Sequence, residues 1–156
     1  MLLAETAFGQ GETLVTPFAI ARLTLAIANG GVVLEPYLVD TVRSPQGRII
    51  FSARPHEVGR AVSPETAAAV AGMMVKVVEE GTGRVARLRG ISVAGKTGSA
   101  ENPHGRPHSW FTAFAPADRP EVVVTAVVEN GGAGAEAAAP IVREVMAYLL
   151  RRAGIR

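Results

Sequence analysis

An α+β fold is predicted for this chain of 156 residues by three observations. Two stretches open with helix-capping residues followed by apolar residues, and a third, near the end of the chain, has helical apolar spacing. Ahead of that last stretch lie three short runs rich in β-branched residues, separated by proline, glycine and asparagine. We therefore expect one domain, or part of one, in which a small antiparallel sheet of three strands packs with helices.

The same local signal marks the first two helices. Thr16-Pro17 and Ser63-Pro64 each combine an N-cap residue with a proline in the first turn. The stretch Phe18 to Asn29 is apolar nearly all round and ends at two glycines, which predicts a buried helix. The second helix is expected to continue from its cap to Glu80, where glycines again follow.

A hairpin outside the main sheet is predicted between these two helices. Val32 to Val42 and Arg48 to Phe51 are rich in β-branched residues. Ser44 to Gly47 separates them and has the composition of a turn, so the two segments are expected to pair with each other.

The main sheet is predicted from three runs, Ile91 to Ser99, Trp110 to Ala115 and Glu121 to Glu129. The third run contains Val122 to Val128, which is apolar on both alternating faces. A strand of that kind is expected at the centre of a sheet, with helices covering it above and below.

The last helix is predicted over Ala137 to Arg152 and should pack on the sheet. Its apolar stripe is formed by Ile141, Val145, Tyr148 and Leu149. Arg151-Arg152 lies at its C-terminal end, where positive charge interacts favourably with the helix dipole.

Composition excludes several classes of function. The chain has no cysteine, which removes disulfides, thiolate metal sites and cysteine nucleophiles. Its 16 basic and 14 acidic residues are scattered, so no nucleic-acid partner is expected. His104 and His108 are four residues apart, but prolines and a glycine around them prevent the helix that would align them. We expect neither a metal nor a cofactor.

Membrane attachment is not predicted within these residues. No apolar run approaches the roughly 18 residues of a membrane span, and Met1 to Phe8 lacks the basic start and the length of a signal peptide. Any export signal or anchor is expected to lie outside this chain.

One segment, Gly90 to Ser99, carries the chemistry and supports two interpretations. Gly90 to Thr97 fits the phosphate-loop pattern G-x-x-x-x-G-K-T, in which backbone N–H groups and the lysine surround phosphates and the threonine meets Mg²⁺. That loop requires a buried strand before it and a helix after it. Here three arginines precede Gly90, and Gly98 to Pro103 is a poor helix start.

The second interpretation takes Lys96-Thr97-Gly98-Ser99 as a strand that lines a cleft. This is the lysine-threonine-glycine element of serine acyl-transferases that react with β-lactams. Four specified positions are weak evidence by themselves, so the flanking sequence has to decide between the two interpretations.

The flanking motifs resemble the C-terminal half of class B penicillin-binding proteins, in order and rough spacing along nearly the whole chain. The matching segments are Gly9-Gln10-Gly11, Val15-Thr16-Pro17, Ala26 to Gly31, Val62 to Thr66, Val78 to Gly83, Val93 to Glu101, Trp110-Phe111, Phe114 to Pro116 and Val128 to Gly132. The resemblance implies part of a β-lactamase/transpeptidase-like fold. It also implies a peptidoglycan D,D-transpeptidase, which crosslinks cell-wall stem peptides through a serine acyl-enzyme and binds β-lactams.

The resemblance also implies roles for residues here. Lys96 supplies positive charge toward the substrate carboxylate and the proton-transfer network, and the hydroxyls of Thr97 and Ser99 bind that carboxylate. The Ser99 backbone N–H is one of two oxyanion donors, and Gly98 keeps the strand surface low for the substrate.

Two family motifs are absent from the chain. The only lysines are Lys76 and Lys96, and the residues three positions earlier are Met73 and Val93, so no Ser-x-x-Lys exists. No Ser-x-Asn exists either. We therefore expect residues 1–156 to be the C-terminal portion of a transpeptidase domain, inactive alone, that either binds the missing N-terminal portion or self-associates. The resemblance places the intact protein in the cytoplasmic membrane, with this domain on the outer side.

Overall fold

The computed structural model describes residues 9–10 and 13–155. Its helices are α1 (Pro17–Ala28), α2 (Pro64–Glu79) and α3 (Ala138–Arg152), with a short 3-10 helix at Arg84–Ala86. Its strands are β1 (Val32–Leu34), β2 (Thr41–Arg43), β3 (Ile49–Ser52), β4 (Glu57–Arg60), β5 (Ala94–Ala100), β6 (His108–Ala115) and β7 (Val122–Val128). The α+β prediction is confirmed. Residues 1–8, where the absence of a signal peptide was predicted, and Gly11 lie outside the described residues.

A three-stranded antiparallel sheet forms the centre of the fold, as predicted, and its strand order is β5-β6-β7. Helix α3 packs on one face of the sheet, and α1 and α2 pack on the other side and along β5. Among the described helices, none is long and apolar enough to cross a membrane.

Two apolar clusters, one on each face of the sheet, form the core. Phe111 packs with Val142, Met146 and Leu150 of α3 on one face, and Phe114 packs with other residues on the opposite face. Consecutive strand residues point to opposite faces, so β6 contributes to both clusters. Both phenylalanines are fully buried, and replacing either with alanine is expected to cost about 3–5 kcal/mol.

The N-caps of α1 and α2 are confirmed. The Thr16 hydroxyl oxygen accepts a hydrogen bond from the Ala19 N–H at 3.1 Å, and the Ser63 hydroxyl oxygen accepts one from the Thr66 N–H at 3.2 Å. Both helices have a proline in the first turn. The two starts are therefore local features that the sequence alone specifies.

The prediction that α1 is a buried helix is wrong for much of its surface. Thr24, which is hydrogen-bonded to Thr112 of β6, and Ala26 are buried, but Phe18 and Leu23 are 58% and 57% exposed. The described residues pack on only part of the helix circumference, which leaves the remaining apolar residues in contact with solvent.

The predicted apolar stripe of α3 is also wrong. Its residues are partly exposed, with Ile141 at 47% and Tyr148 at 52%, whereas Val142, Met146 and Leu150 face the sheet. Tertiary contacts select this face, because the small residues at the helix start approach the sheet closely. The Ser109 hydroxyl of β6 also accepts a hydrogen bond from the Ala138 N–H at 3.0 Å, which sets the rotation of the helix.

The prediction for β7 is half right. Helices α1 and α3 cover it on both faces, as expected. Within the described residues, however, β7 lies at an edge of the sheet, and β6 occupies the centre. Apolar residues on both faces of a strand indicate that other elements cover it above and below. They do not indicate whether its two edges pair with other strands.

The hairpin between α1 and α2 lies outside the main sheet, as predicted, but its pairing is nested. Strand β2 pairs with β3 across the predicted turn, and β1 pairs with β4, which was not predicted. The segment Val32 to Val42 is therefore two short strands, since Glu35 to Asp40 between them is not in a strand.

Candidate active site

The lysine-threonine-glycine segment, Lys96 to Ser99, lies in extended backbone in the middle of β5. Strand β6 pairs with one edge of β5 along its whole length. No strand among the described residues pairs with the other edge. The segment is therefore placed where an extended ligand could add to the sheet.

Thr97 and Ser99 lie on one face of β5, and Lys96 and Gly98 lie on the other. The Thr97 hydroxyl is hydrogen-bonded to the Thr82 hydroxyl at 2.8 Å. The Ser99 hydroxyl oxygen accepts a bond from the Gly134 N–H at 3.3 Å. Each hydroxyl is thus held by a loop that follows a different element, since Thr82 follows α2 and Gly134 follows β7.

Lys96 has an exposed side chain and takes part in no ion pair among the described residues. Its Nζ donates a hydrogen bond to the Thr97 carbonyl oxygen at 2.6 Å. Because an ammonium group has three donors, two remain for other partners. The charge of Lys96 is therefore available to an anionic ligand.

Gly98 and Gly134 allow a close approach of two backbone segments. A Cβ at position 98 would lie 3.1 Å from the Cβ of Trp110, the residue opposite it on β6. A Cβ at position 134 would overlap the Gly98 backbone. Trp110 is only half-buried, whereas its neighbour Phe111 is fully buried in the core.

A hydrogen-bonded network joins the loops beyond β5 and β7. The Asn130 N–H donates to His108 Nδ1 at 3.0 Å, and the Asn102 side-chain amide donates to Asn130 Oδ1 at 3.2 Å. Arg106 and Glu136 form an ion pair at 2.9 Å between the same loops. This network positions the segment that carries Gly134. His108 is used here as a hydrogen-bond acceptor, and among the described residues no cluster of three or more metal-ligating side chains occurs.

Two residues near β5 received no role from the sequence. Gln10 Nε2 donates to the Ser99 carbonyl oxygen at 2.9 Å, and Thr82 contacts Thr97 as described above. Both lie in short motifs that the resemblance includes, each flanked by glycines. Those motifs were the sequence signal that could have identified the two residues. Because the motifs are distant from β5 in the sequence, they did not indicate that the residues contact β5.

The Gln10 contact defines which edge the Ser99 peptide groups face. In a strand, the N–H and C=O of one residue leave on the same edge. Since Gln10 reaches the Ser99 carbonyl from outside the sheet, the Ser99 N–H points to the free edge as well. This is the orientation that a backbone oxyanion donor requires.

The phosphate-loop interpretation finds no support in this geometry. Gly95 to Thr97 belongs to a regular strand, and the residues after it continue that strand to Ala100. A turn and β6 follow, where a phosphate loop would lead into a helix. The amides of a paired strand alternate between its two edges and so cannot converge on a phosphate.

Comparison with known proteins identifies the family. The penicillin binding protein transpeptidase domain matches residues 3–147, and the chain therefore belongs to that family. Peptidoglycan D,D-transpeptidase PbpA of Mycolicibacterium smegmatis is 38% identical over 160 residues, which cover 96% of this chain and 32% of the relative. The predicted relationship to class B penicillin-binding proteins is confirmed.

Solved structures agree with this assignment. A D,D-transpeptidase domain from Eggerthella lenta is 42% identical with a TM-score of 0.83, covering 90% of this chain and 33% of that one. Penicillin-binding protein A from M. tuberculosis, as a ceftriaxone acyl-enzyme complex, is 38% identical with a TM-score of 0.87, covering 93% and 34%. The chain thus spans about a third of the length of the curated relatives it matches.

Proposed function

We propose that this chain is the C-terminal portion of the catalytic domain of a peptidoglycan D,D-transpeptidase, which crosslinks cell-wall stem peptides and binds β-lactams. The observation that carries the proposal is the extended backbone of Lys96 to Ser99 on β5. Within the described residues, the second edge of β5 pairs with no strand and Lys96 forms no ion pair. Membership of the transpeptidase family and the β-lactam acyl-enzyme of a relative support it.

The chemistry assigned to this site is acyl transfer. A serine Oγ attacks the carbonyl carbon of the penultimate D-alanine, the peptide C–N bond breaks, and the terminal D-alanine leaves with a proton. An amine from a neighbouring stem peptide then attacks the ester carbonyl, and the serine oxygen recovers a proton as it leaves. A β-lactam is attacked in the same way, but its amine stays attached to the acyl group.

β5 contributes ligand binding and charge stabilisation to this reaction. Lys96 and the hydroxyls of Thr97 and Ser99 bind the ligand carboxylate, and Lys96 also takes part in the proton-transfer network. The Ser99 N–H stabilises the oxyanion, in a position where removal of a donor typically costs a large factor in rate. Gly98 leaves the strand surface open to the peptide.

The nucleophile is expected from a Ser-x-x-Lys segment outside these residues, because neither lysine of the chain has a serine three positions before it. The 156 residues alone are therefore expected to form no acyl-enzyme. Their partner is the segment of the same domain that carries the serine. The exposed apolar side chains of α1 and α3 suit that association, or self-association in its absence.

We place the intact protein in the cytoplasmic membrane, with this domain on the outer side.

A fluorescent penicillin tests the proposal. The chain alone should remain unlabelled, and a longer protein that joins a Ser-x-x-Lys segment to it should be labelled covalently and lose labelling with Lys96→Ala. An unlabelled longer protein that folds and binds ATP or GTP tightly would instead favour the phosphate-loop interpretation. Size-exclusion chromatography of the chain alone tests the association, since a stable, well-folded monomer contradicts it.

A further inference from the structure

Gln10 contacts the free edge of β5 at two points, although 89 residues separate it from Ser99. Its Nε2 donates to the Ser99 carbonyl oxygen at 2.9 Å, and its Oε1 accepts a hydrogen bond from the Glu101 N–H at 3.4 Å. One carboxamide therefore binds one acceptor and one donor of the same strand.

This pattern is the one that a neighbouring strand would make. The C=O of one residue and the N–H of the residue two positions later project from the same edge of an extended chain. Pairing with β6 ends at Ala100 opposite His108, so Glu101 lies beyond the last strand pair. At this end of β5, Gln10 takes the place of a neighbouring strand.

We propose that Gln10 is a positioning residue for the oxyanion site: it holds the Ser99 peptide so that the Ser99 N–H faces the substrate. This inference rests on the proposed function. Without Gln10, the end of β5 is held on its β6 side and through the Ser99 hydroxyl contact with Gly134. The Ser99 carbonyl keeps a second lone pair, so Gln10 leaves it able to accept a bond from an extended peptide.

Amide exchange in the 156-residue chain tests the contact without any reference to catalysis. Gln10→Ala should speed hydrogen exchange at the Glu101 amide about tenfold, the loss expected for one hydrogen bond. The amides of Lys96 and Gly98 point toward β6 and serve as internal controls. Unchanged exchange at Glu101 would overturn the inference.

Acylation tests the catalytic consequence in a longer protein that includes the serine segment. Gln10→Ala should lower the rate constant for acylation by a β-lactam about tenfold, with little change in the dissociation constant of the non-covalent complex. Gln10→Glu keeps the acceptor for the Glu101 N–H but places a carboxylate beside the Ser99 carbonyl. We expect it to preserve amide protection at Glu101 and still slow acylation.

The two measurements separate failure of this inference from failure of the proposed function. A folded wild-type protein that is never labelled contradicts the proposed function, while amide exchange still decides whether Gln10 holds the end of β5. A labelled wild type with unchanged acylation in both variants overturns the positioning role. Circular dichroism checks that each variant folds, and Gln10→Glu carries the test if Gln10→Ala does not.

Discussion

Gly134 lies directly against the backbone of Gly98, the glycine of the lysine-threonine-glycine segment. A Cβ at position 134 would lie 2.6 Å from the Gly98 carbonyl oxygen and 2.8 Å from its amide nitrogen. Backbone atoms of a paired strand cannot move aside as a flexible side chain can. The contact therefore ties the loop after β7 to β5, and the Ser99 hydroxyl bond to the Gly134 N–H reinforces it.

Gly134→Ala should consequently destabilise the fold. We expect the free energy of unfolding to fall by about 1–3 kcal/mol, because the added methyl group must displace the loop or the backbone of β5 and of β6, where the Trp110 carbonyl oxygen is the nearest atom. Gly72→Ala is the matched control: Gly72 lies within α2, and a Cβ there has nothing within 4 Å. That change should raise stability by about 0.5–1 kcal/mol through helix propensity. Urea unfolding of both variants measures the difference, and equal shifts would contradict the close contact.

Thr82 should strengthen carboxylate binding by Thr97 in the serine-containing protein. When the Thr97 hydroxyl donates to an anion, its oxygen can accept from Thr82, which lies 2.8 Å away. Thr82→Val should weaken non-covalent β-lactam binding by about fivefold, and Thr82→Ser should restore it. A β-lactam methyl ester provides the control, since it lacks the anion and should not distinguish the variants. If Thr82→Val weakens binding of the β-lactam acid and of its methyl ester equally, this role is contradicted.

A chain of three threonine hydroxyls should stabilise the packing of α1 on the sheet. Thr112 of β6 is bonded to Thr24 of α1 at 2.8 Å and to Thr125 of β7 at 2.6 Å. Thr112→Val keeps the shape but removes both bonds, and we expect it to lower the free energy of unfolding by about 1–3 kcal/mol. Thr112→Ser retains the hydroxyl and should lower the free energy of unfolding less than Thr112→Val does. Thermal unfolding compares the two, and a valine variant as stable as wild type would exclude a contribution from the hydroxyl chain.

Glu65 should make the stability of α2 depend on acid pH. Hydrogen bonds from its own backbone N–H and from the Ser63 hydroxyl hold the pKa of Glu65 below its ordinary value of 4.5, with help from the charge of Arg60. Because the pKa is lowered in the folded state, this contribution is present above the unfolded pKa and is lost as pH falls through the folded value. Glu65→Gln should therefore flatten the acid limb of the stability curve. Unfolding measured from pH 6 down to about pH 3 provides the check, and identical curves would contradict the assignment.

Local signals explain which parts of the fold were predictable. The caps of α1 and α2 depend on residues within one turn of each helix start, so Thr16 and Ser63 identify them without tertiary information. The three strands of the main sheet were also recognisable, because their β-branched runs and intervening turn residues are contiguous in sequence. The motif at Lys96 to Ser99 belongs to the same category.

Rotation of helices and contacts between distant segments were not predictable in this way. The apolar residues of α3 extend around more than one face, so its periodicity could not show that Val142, Met146 and Leu150 would be the buried set. Nor could any local pattern show that β7 lies at an edge of the sheet within the described residues. The Gln10 contact with Ser99 likewise depends on a folded arrangement of segments far apart in sequence.

The sequence by itself determined the family, the helix starts, the strand order along the chain and the identity of the lysine, threonine, glycine and serine of β5. Each of these features depends on residues that are neighbours in the sequence. Only the tertiary structure decided which edge of β5 stays free, which groups hold its hydroxyls and peptide groups, and which face of α3 is buried. The physical reason is that packing and hydrogen bonding between distant segments depend on which side chains come into contact in the folded chain. Local periodicity does not specify those contacts.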